Sequence, residues 1–116
     1  MHACYVIAPR CVFVCVQCSG QLDNGLIANV MSPPSSAVIS GVLQVSAGTA
    51  HTCVLTAAKG VRCWGDGVMG QLGSGGTTSL LTPPLSDVLA FTSVSTLSIR
   101  NAFSCGVSTG GSLRCW

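Results

Sequence analysis

His51-Thr52-Cys53-Val54-Leu55-Thr56, then Ala57-Ala58-Lys59-Gly60, then Val61-Arg62-Cys63-Trp64 reads as two strands about a tight turn. β-Branched and apolar residues fill both runs, and Gly60 supplies a residue free to take positive φ at the connection. The same landmarks return further along. Cys53, Cys63 and Trp64 recur as Cys105, Cys115 and Trp116, at an offset of 52. Gly20-Gln21-Leu22 recurs as Gly70-Gln71-Leu72 and Pro33-Pro34 as Pro83-Pro84, at an offset of 50. One unit is therefore about 50 residues long, with a two-residue insertion between the proline pair and the first cysteine. A period in this range marks a solenoid, propeller or array, because one unit cannot bury its apolar face alone.

Working outward, Val42 to Ala47 alternates as a half-buried strand does, and Gly48-Thr49 breaks it. Strands are predicted over 42–48, 51–57 and 61–65, and again near 94–99, 103–108 and 112–116, with Gly110-Gly111 as the second hairpin turn. Gly65 to Gly76 holds six glycines in twelve residues and is read as loop. Leu80 to Pro84 is expected to be extended, since residues before proline are pushed out of the α region. No stretch keeps a helical period, so the chain is read as all-β.

At 116 residues the chain has the length of one domain. Charged residues make up 7%, against roughly 25% in an ordinary soluble domain, and the mean hydropathy is +0.62. Such a surface is expected to pack against something. The net charge of +2 is scattered singly, which argues against nucleic acid as a partner. No apolar run reaches the roughly 18–20 residues of a membrane span. Residues 1–19 are left unassigned. They hold Cys4, Cys11, Cys15 and Cys18, and three readings compete there: a minimal signal peptide, a leftover strand of an upstream unit, and a truncated start. The segment lacks the Cys-Trp-Gly landmark at the expected offset, so it is expected to be extended, poorly packed or used as a single strand.

His51 to Thr56, Gly60 to Gly65, and Gly70-Gln71-Leu72-Gly73 with Gly75 together resemble the repeat of the regulator-of-chromosome-condensation family. The resemblance covers residues 20–116. It implies a β-propeller, usually seven-bladed, with four strands per blade, and this chain would make an incomplete propeller of about two antiparallel blades, fragment-like, since propellers close at four to eight. In the family, one branch exchanges nucleotide on the small GTPase Ran, and many members are binding or scaffold modules. The second copy departs from the first, with Arg100 in place of Gly48 and Phe103 in place of His51. No residue matches the exchange site.

Cys53 with Cys63 and Cys105 with Cys115 share a spacing of ten and straddle the two predicted turns. That places each pair opposite on adjacent strands, within disulfide range. The pairs are expected to be disulfides, with buried thiols as the bland alternative. Oxidised pairs would imply a secreted or cell-envelope protein, and reduced ones the cytosol or nucleus.

The remaining motifs carry little. Cys15-x2-Cys18 lacks the second ligand pair a zinc site needs, so no metal is expected. Gly65-x-Gly67-x-x-Gly70 matches a dinucleotide fingerprint, but Gln71 to Gly76 cannot hold the helix that the chemistry requires, and no cofactor is implied. His51 has no recognisable nucleophile and carboxylate beside it. The acids are only Asp23, Asp66 and Asp87. Trp64 and Trp116 read as packing anchors.

No catalytic residue is assigned and the chain is read as not an enzyme. The function expected is a protein-interaction module, with missing blades or a second copy covering the open blade faces. The alternatives are part of a guanine-nucleotide exchange factor for a small GTPase, and a small secreted β protein stapled by disulfides.

Overall fold

The computed structural model describes residues 2–7, 10–15, 39–88 and 91–116, the first two ranges as paired backbone only. Eight strands follow in order: β1 (His2–Ile7), β2 (Arg10–Cys15), β3 (Val42–Ala47), β4 (His51–Thr56), β5 (Val61–Gly65), β6 (Val94–Arg100), β7 (Phe103–Ser108) and β8 (Leu113–Cys115). They form a β1–β2 hairpin and two three-stranded antiparallel sheets, ordered β3-β4-β5 and β6-β7-β8. No helix occurs among the described residues.

The two large sheets repeat in fine detail. Each carries a register shift at the same place, between Val42 and Gln44 and between Val94 and Thr96. Each hairpin closes with the same two bonds. Thr56 N–H reaches Gly60 O at 2.9 Å and Lys59 N–H reaches Thr56 O at 2.9 Å. Ser108 N–H reaches Ser112 O at 2.9 Å and Gly111 N–H reaches Ser108 O at 2.9 Å. The turn corrects one expectation. Positive φ falls on Lys59 (65°) and, in the second copy, on Gly111 (84°), whereas Gly60 lies against the Asp87 carboxylate, which a Cβ there would displace.

The fourth strand that the resemblance implies is reduced to one bridge in the first sheet. Gly65 and Leu80 exchange both backbone bonds, at 2.7 and 2.9 Å, and pairing stops there. Pro83 and Pro84 follow closely, and proline cannot donate to a ladder. The linker beyond is pinned to the hairpin it crosses. Val88 N–H reaches Val61 O at 2.6 Å, and Val94 N–H reaches Lys59 O at 2.9 Å.

Of the two alternatives for the N-terminal segment, use as a single strand is corrected. β1 and β2 pair along their whole length, with Cys4 opposite Phe13 and Ile7 opposite Arg10. Both runs are rich in Val, Cys and aromatic residues that favour a pleated ladder. The hairpin does not set cysteine against cysteine, as the other two do. Gly20-Gln21-Leu22, Asp23, Pro33-Pro34 and Cys18 lie outside the described residues.

The core lies between the two large sheets. Cys53, Leu55, Val61 and Cys63 from the first meet Val94, Leu97 and Ile99 from β6, with Leu72 and Phe91 filling the ends. Alternation along β6 explains this. Val94, Leu97 and Ile99 are buried, while Ser95, Thr96, Ser98 and Arg100 are exposed. β4, central in its sheet, is buried at all six positions.

Candidate functional site

The junction between the sheets is the best-built polar feature among the described residues. Gln44 on β3 turns its amide onto the edge of β6. Its Nε2 donates to Leu97 O at 2.7 Å, and Leu97 N–H donates to its Oε1 at 3.0 Å. One side chain thereby satisfies both backbone groups of a residue that has no strand neighbour on that side. Two residues along, Ile99 N–H donates to Ser46 Oγ at 3.1 Å. Beyond the strand end, Thr49 N–H reaches Asn101 O at 2.9 Å.

Deeper in the junction, His51 and Ser104 meet. His51 Nε2 lies 2.8 Å from Ser104 Oγ, and that hydroxyl donates to Gln71 O at 2.9 Å. A serine hydroxyl has one hydrogen, and Gln71 O takes it. Ser104 Oγ therefore accepts from His51, so the ring carries its proton on Nε2 and Nδ1 is bare. Nδ1 is buried with no partner. A histidine beside a serine suggests nucleophilic catalysis, but the roles here are reversed. A general base needs a lone pair facing the hydroxyl, and an orienting group on the other nitrogen. Neither is met, and both residues are sealed, at 1% and 0% exposure. The pair is a hydrogen-bonded connector between sheets.

Two expected results follow. Ser104→Ala leaves the His51 N–H and the Gln71 carbonyl buried without a partner, and should cost about 1–3 kcal/mol in a urea titration. The second concerns pH. Burial lowers the His51 pKa below 6.5, opposed by the negative charge of Asp66. The unfolded chain thus takes up a proton near pH 6.5 that the folded chain refuses. Stability is full above about 6.5 and is lost as pH falls from there toward the lower folded pKa. His51→Phe, which copies position 103, should flatten the stability profile between pH 7.5 and 5.5. An unchanged slope would remove His51 as its cause.

The glycine-rich loop is tied from within. Asp66 accepts from Gln71 Nε2 at 3.0 Å, from Ser79 Oγ at 3.2 Å and from Val68 N–H at 3.2 Å. Met69 N–H donates to Gln71 Oε1 at 2.8 Å. Gly67 to Gly70 and Gly70 to Gly73 close two successive turns, at 2.8 and 3.0 Å. The N–H groups of Gly67, Val68 and Met69 are committed to side chains and those of Gly70 and Gly73 to the two turns, and no helix follows. Asp87 is paired with Arg62 at 3.0 Å.

Cys53 and Cys63 are joined as a disulfide with Cα atoms 4.1 Å apart, and Cys105 and Cys115 likewise at 4.0 Å. The hydrogen-bond phase puts them there. Ser104 and Trp116 exchange both bonds, at 2.7 and 2.8 Å, so the next pair, Cys105 and Cys115, is non-hydrogen-bonded and close. The first disulfide is sealed, with Cys53 at 0% and Cys63 at 1% exposure, under β6. The second occupies the same place on its own sheet but is open. Around it the face carries Phe103 at 47% and Leu113 at 65% exposure, with Thr96 and Ser98 where the first sheet has Gln44 and Ser46.

Sequence reading missed Gln44, Ser46, Gln71 and Ser104. One signal was available. Ser104 stands at the repeat offset from Thr52, so a hydroxyl occupies that position in both copies. Trp64 is fully buried, and Trp116 packs edge-on against Phe91, centroids 6.1 Å apart.

Comparison with known proteins agrees with this geometry. Residues 42–71 match the Regulator of chromosome condensation (RCC1) repeat. The crystal structure of human WBSCR16 superposes with a TM-score of 0.76 at 22% identity, covering 99% of this chain and 31% of that one. Yeast RCC1 (Prp20), solved bound to Kap60, gives 0.81 at 16% identity, covering 99% and 30%. Prp20p of Saccharomyces cerevisiae, in a structure concerned with its binding to Gsp1p and histones, gives 0.81 at 16%, covering 99% and 31%. The chain spans about a third of the length of these solved structures, and they share its fold.

Proposed function

We propose that this chain, which carries an RCC1 repeat in the fold of RCC1-type propellers, is a non-enzymatic protein-interaction module. Its two sheets act as consecutive blades, and residues 20–116 hold the repeats, about two units of an incomplete propeller. The observation that supports this is the contrast between equivalent faces. Blade one buries His51 and Cys53–Cys63 beneath blade two, whereas blade two presents Phe103, Leu113 and Cys105–Cys115 to the outside. A face of that make-up, equivalent to the one blade two covers on blade one, is suited to another protein surface, a further blade or a second copy, rather than to a small substrate. The exchange-factor reading draws less support, because Asp66 and Asp87 spend their carboxylates on internal partners. The solved Prp20p concerns Gsp1p, which makes that GTPase the natural probe.

The test has two arms. Sedimentation of the purified chain should show concentration-dependent association that Phe103→Glu with Leu113→Glu abolishes, without loss of strand content by circular dichroism. Nucleotide release from Gsp1p should not be accelerated by the chain. Association that survives both substitutions would move the interface elsewhere, and accelerated release would favour the exchange reading.

A further inference from the structure

We propose that Asp66–Gly67 is a site of isoaspartate formation, in which the chain modifies its own backbone, and that the Ser79 hydroxyl is the brake on it. Aspartate followed by glycine is the dipeptide most open to this reaction, because no side chain on the second residue screens its nitrogen. The fold requires the pair. A Cβ at position 67 would run into Thr78 O and stand 2.8 Å from Thr78 C, backbone atoms of the returning chain, so this close approach needs glycine. The Asp66 carboxylate in turn ties Gln71 Nε2, Ser79 Oγ and Val68 N–H. Its bond to Val68 N–H, two residues on, folds the carboxyl back over the peptide that follows it. The electrophilic carbon is thereby held beside the Gly67 nitrogen.

The Gly67 nitrogen attacks Asp66 Cγ and a carbon–nitrogen bond forms. One carboxylate oxygen leaves as water, with the amide hydrogen and one proton from solvent. Water then opens the cyclic imide at either carbonyl. Attack at Cγ restores aspartate. Attack at the main-chain carbonyl leaves the backbone running through the side-chain carbons, one methylene longer. The water lost in the first step is regained in the second, so no other reactant enters. Ser79 stands between the reacting groups. Its Oγ accepts from Gly67 N–H at 3.0 Å and donates to Asp66 Oδ1 at 3.2 Å. Its place is fixed by the next residue, Leu80, which exchanges two backbone bonds with Gly65. Ring closure takes the nitrogen and the carboxylate away from that hydroxyl, so both bonds are lost on the way. In the product the side-chain tie to Gln71 is lost, and Gln71 O is the acceptor that Ser104 of blade two uses. The modification therefore loosens the blade junction.

The experiment incubates the oxidised full chain at neutral pH, then reduces it, digests it with trypsin and locates isoaspartate by electron-transfer fragmentation. Trypsin cuts after Arg62 and Arg100, so Asp66 and Asp87 share one peptide. Asp87 is the internal reference, since the Val88 side chain screens the nitrogen that follows it. Ser79→Ala should accumulate isoaspartate at position 66 at least about fivefold faster than the parent, the rate equivalent of one lost hydrogen bond. Ser79→Thr keeps the hydroxyl and should match the parent. In urea all three should react at one faster rate. Circular dichroism follows strand content throughout. Equal rates for the folded parent and Ser79→Ala would overturn the brake, and a slower Ser79→Ala would do so by making the hydroxyl a proton relay. A gain that appears only as strand content is lost, or as much isoaspartate at 87 as at 66, would overturn the proposal as well.

Discussion

Replacing Cys53 and Cys63 together by alanine should destabilise the chain by about 4–5 kcal/mol, and the same change at Cys105 and Cys115 by about 3 kcal/mol. The two closed loops have the same length, each with a separation of ten residues. In the chain-entropy account, tying the unfolded chain at that spacing is worth roughly 3 kcal/mol, whichever pair is considered. The difference must then come from packing. Cys53 and Cys63 sit in the cluster with Leu97 and Ile99, and removing two sulfurs leaves a void that the rigid sheets cannot close. Cys105 and Cys115 face outward, and solvent fills the space. Urea midpoints with fitted slopes, measured on each double variant against the parent, decide the matter. Equal losses would mean that burial adds nothing to the first disulfide. A loss of this size is a large part of the 5–15 kcal/mol that holds an ordinary domain together.

The same contrast shows how far the sequence could be read. The six strands of the two large sheets were legible because cysteine, tryptophan and glycine landmarks recur at fixed offsets, and because the runs between them alternate. The opposition of Cys53 to Cys63 and of Cys105 to Cys115 followed from spacing about a turn. The bonds between blades were not legible. Gln44, Ser46 and Ser104 act across 53 residues of sequence, and nothing local marks a glutamine amide as the partner of a distant backbone edge. The second copy hides them further, since Thr96 and Phe103 replace Gln44 and His51, so comparing the repeats makes these positions look dispensable. The β1–β2 hairpin was missed for another reason. Its pairing follows from strand propensity alone, without the landmarks that the repeat provided.

The glycines of the loop were legible as a group but not individually, and the largest single-residue effect is expected at one of them. Gly65→Ala should cost about 4 kcal/mol, whereas Gly75→Ala should cost about 1 kcal/mol. Both glycines have positive φ, 104° and 80°, so a side chain pays a backbone penalty of about 1–2 kcal/mol at either position. At Gly75 nothing lies within 4 Å of where a Cβ would be, and the alanine also restricts the unfolded chain, which offsets part of that penalty. At Gly65 the Cβ would stand 2.5 Å from Ala50 O and 2.8 Å from His51 Cα. These are backbone atoms of the neighbouring strand, and they cannot swing aside as a side-chain tip does. Moving them strains what Gly65 holds together. Its N–H and carbonyl form the bridge to Leu80, and Ala50 O accepts from Asp66 N–H at 2.8 Å, which sets the loop that Asp66 then ties. A shift there also displaces His51 from Ser104 and so reaches the second blade. Thermal or urea unfolding of the two variants separates the steric cost from the conformational one that both share. A Gly65→Ala loss no larger than that of Gly75→Ala would show that the strand end yields to the added methyl, and that the blade junction does not depend on this close approach.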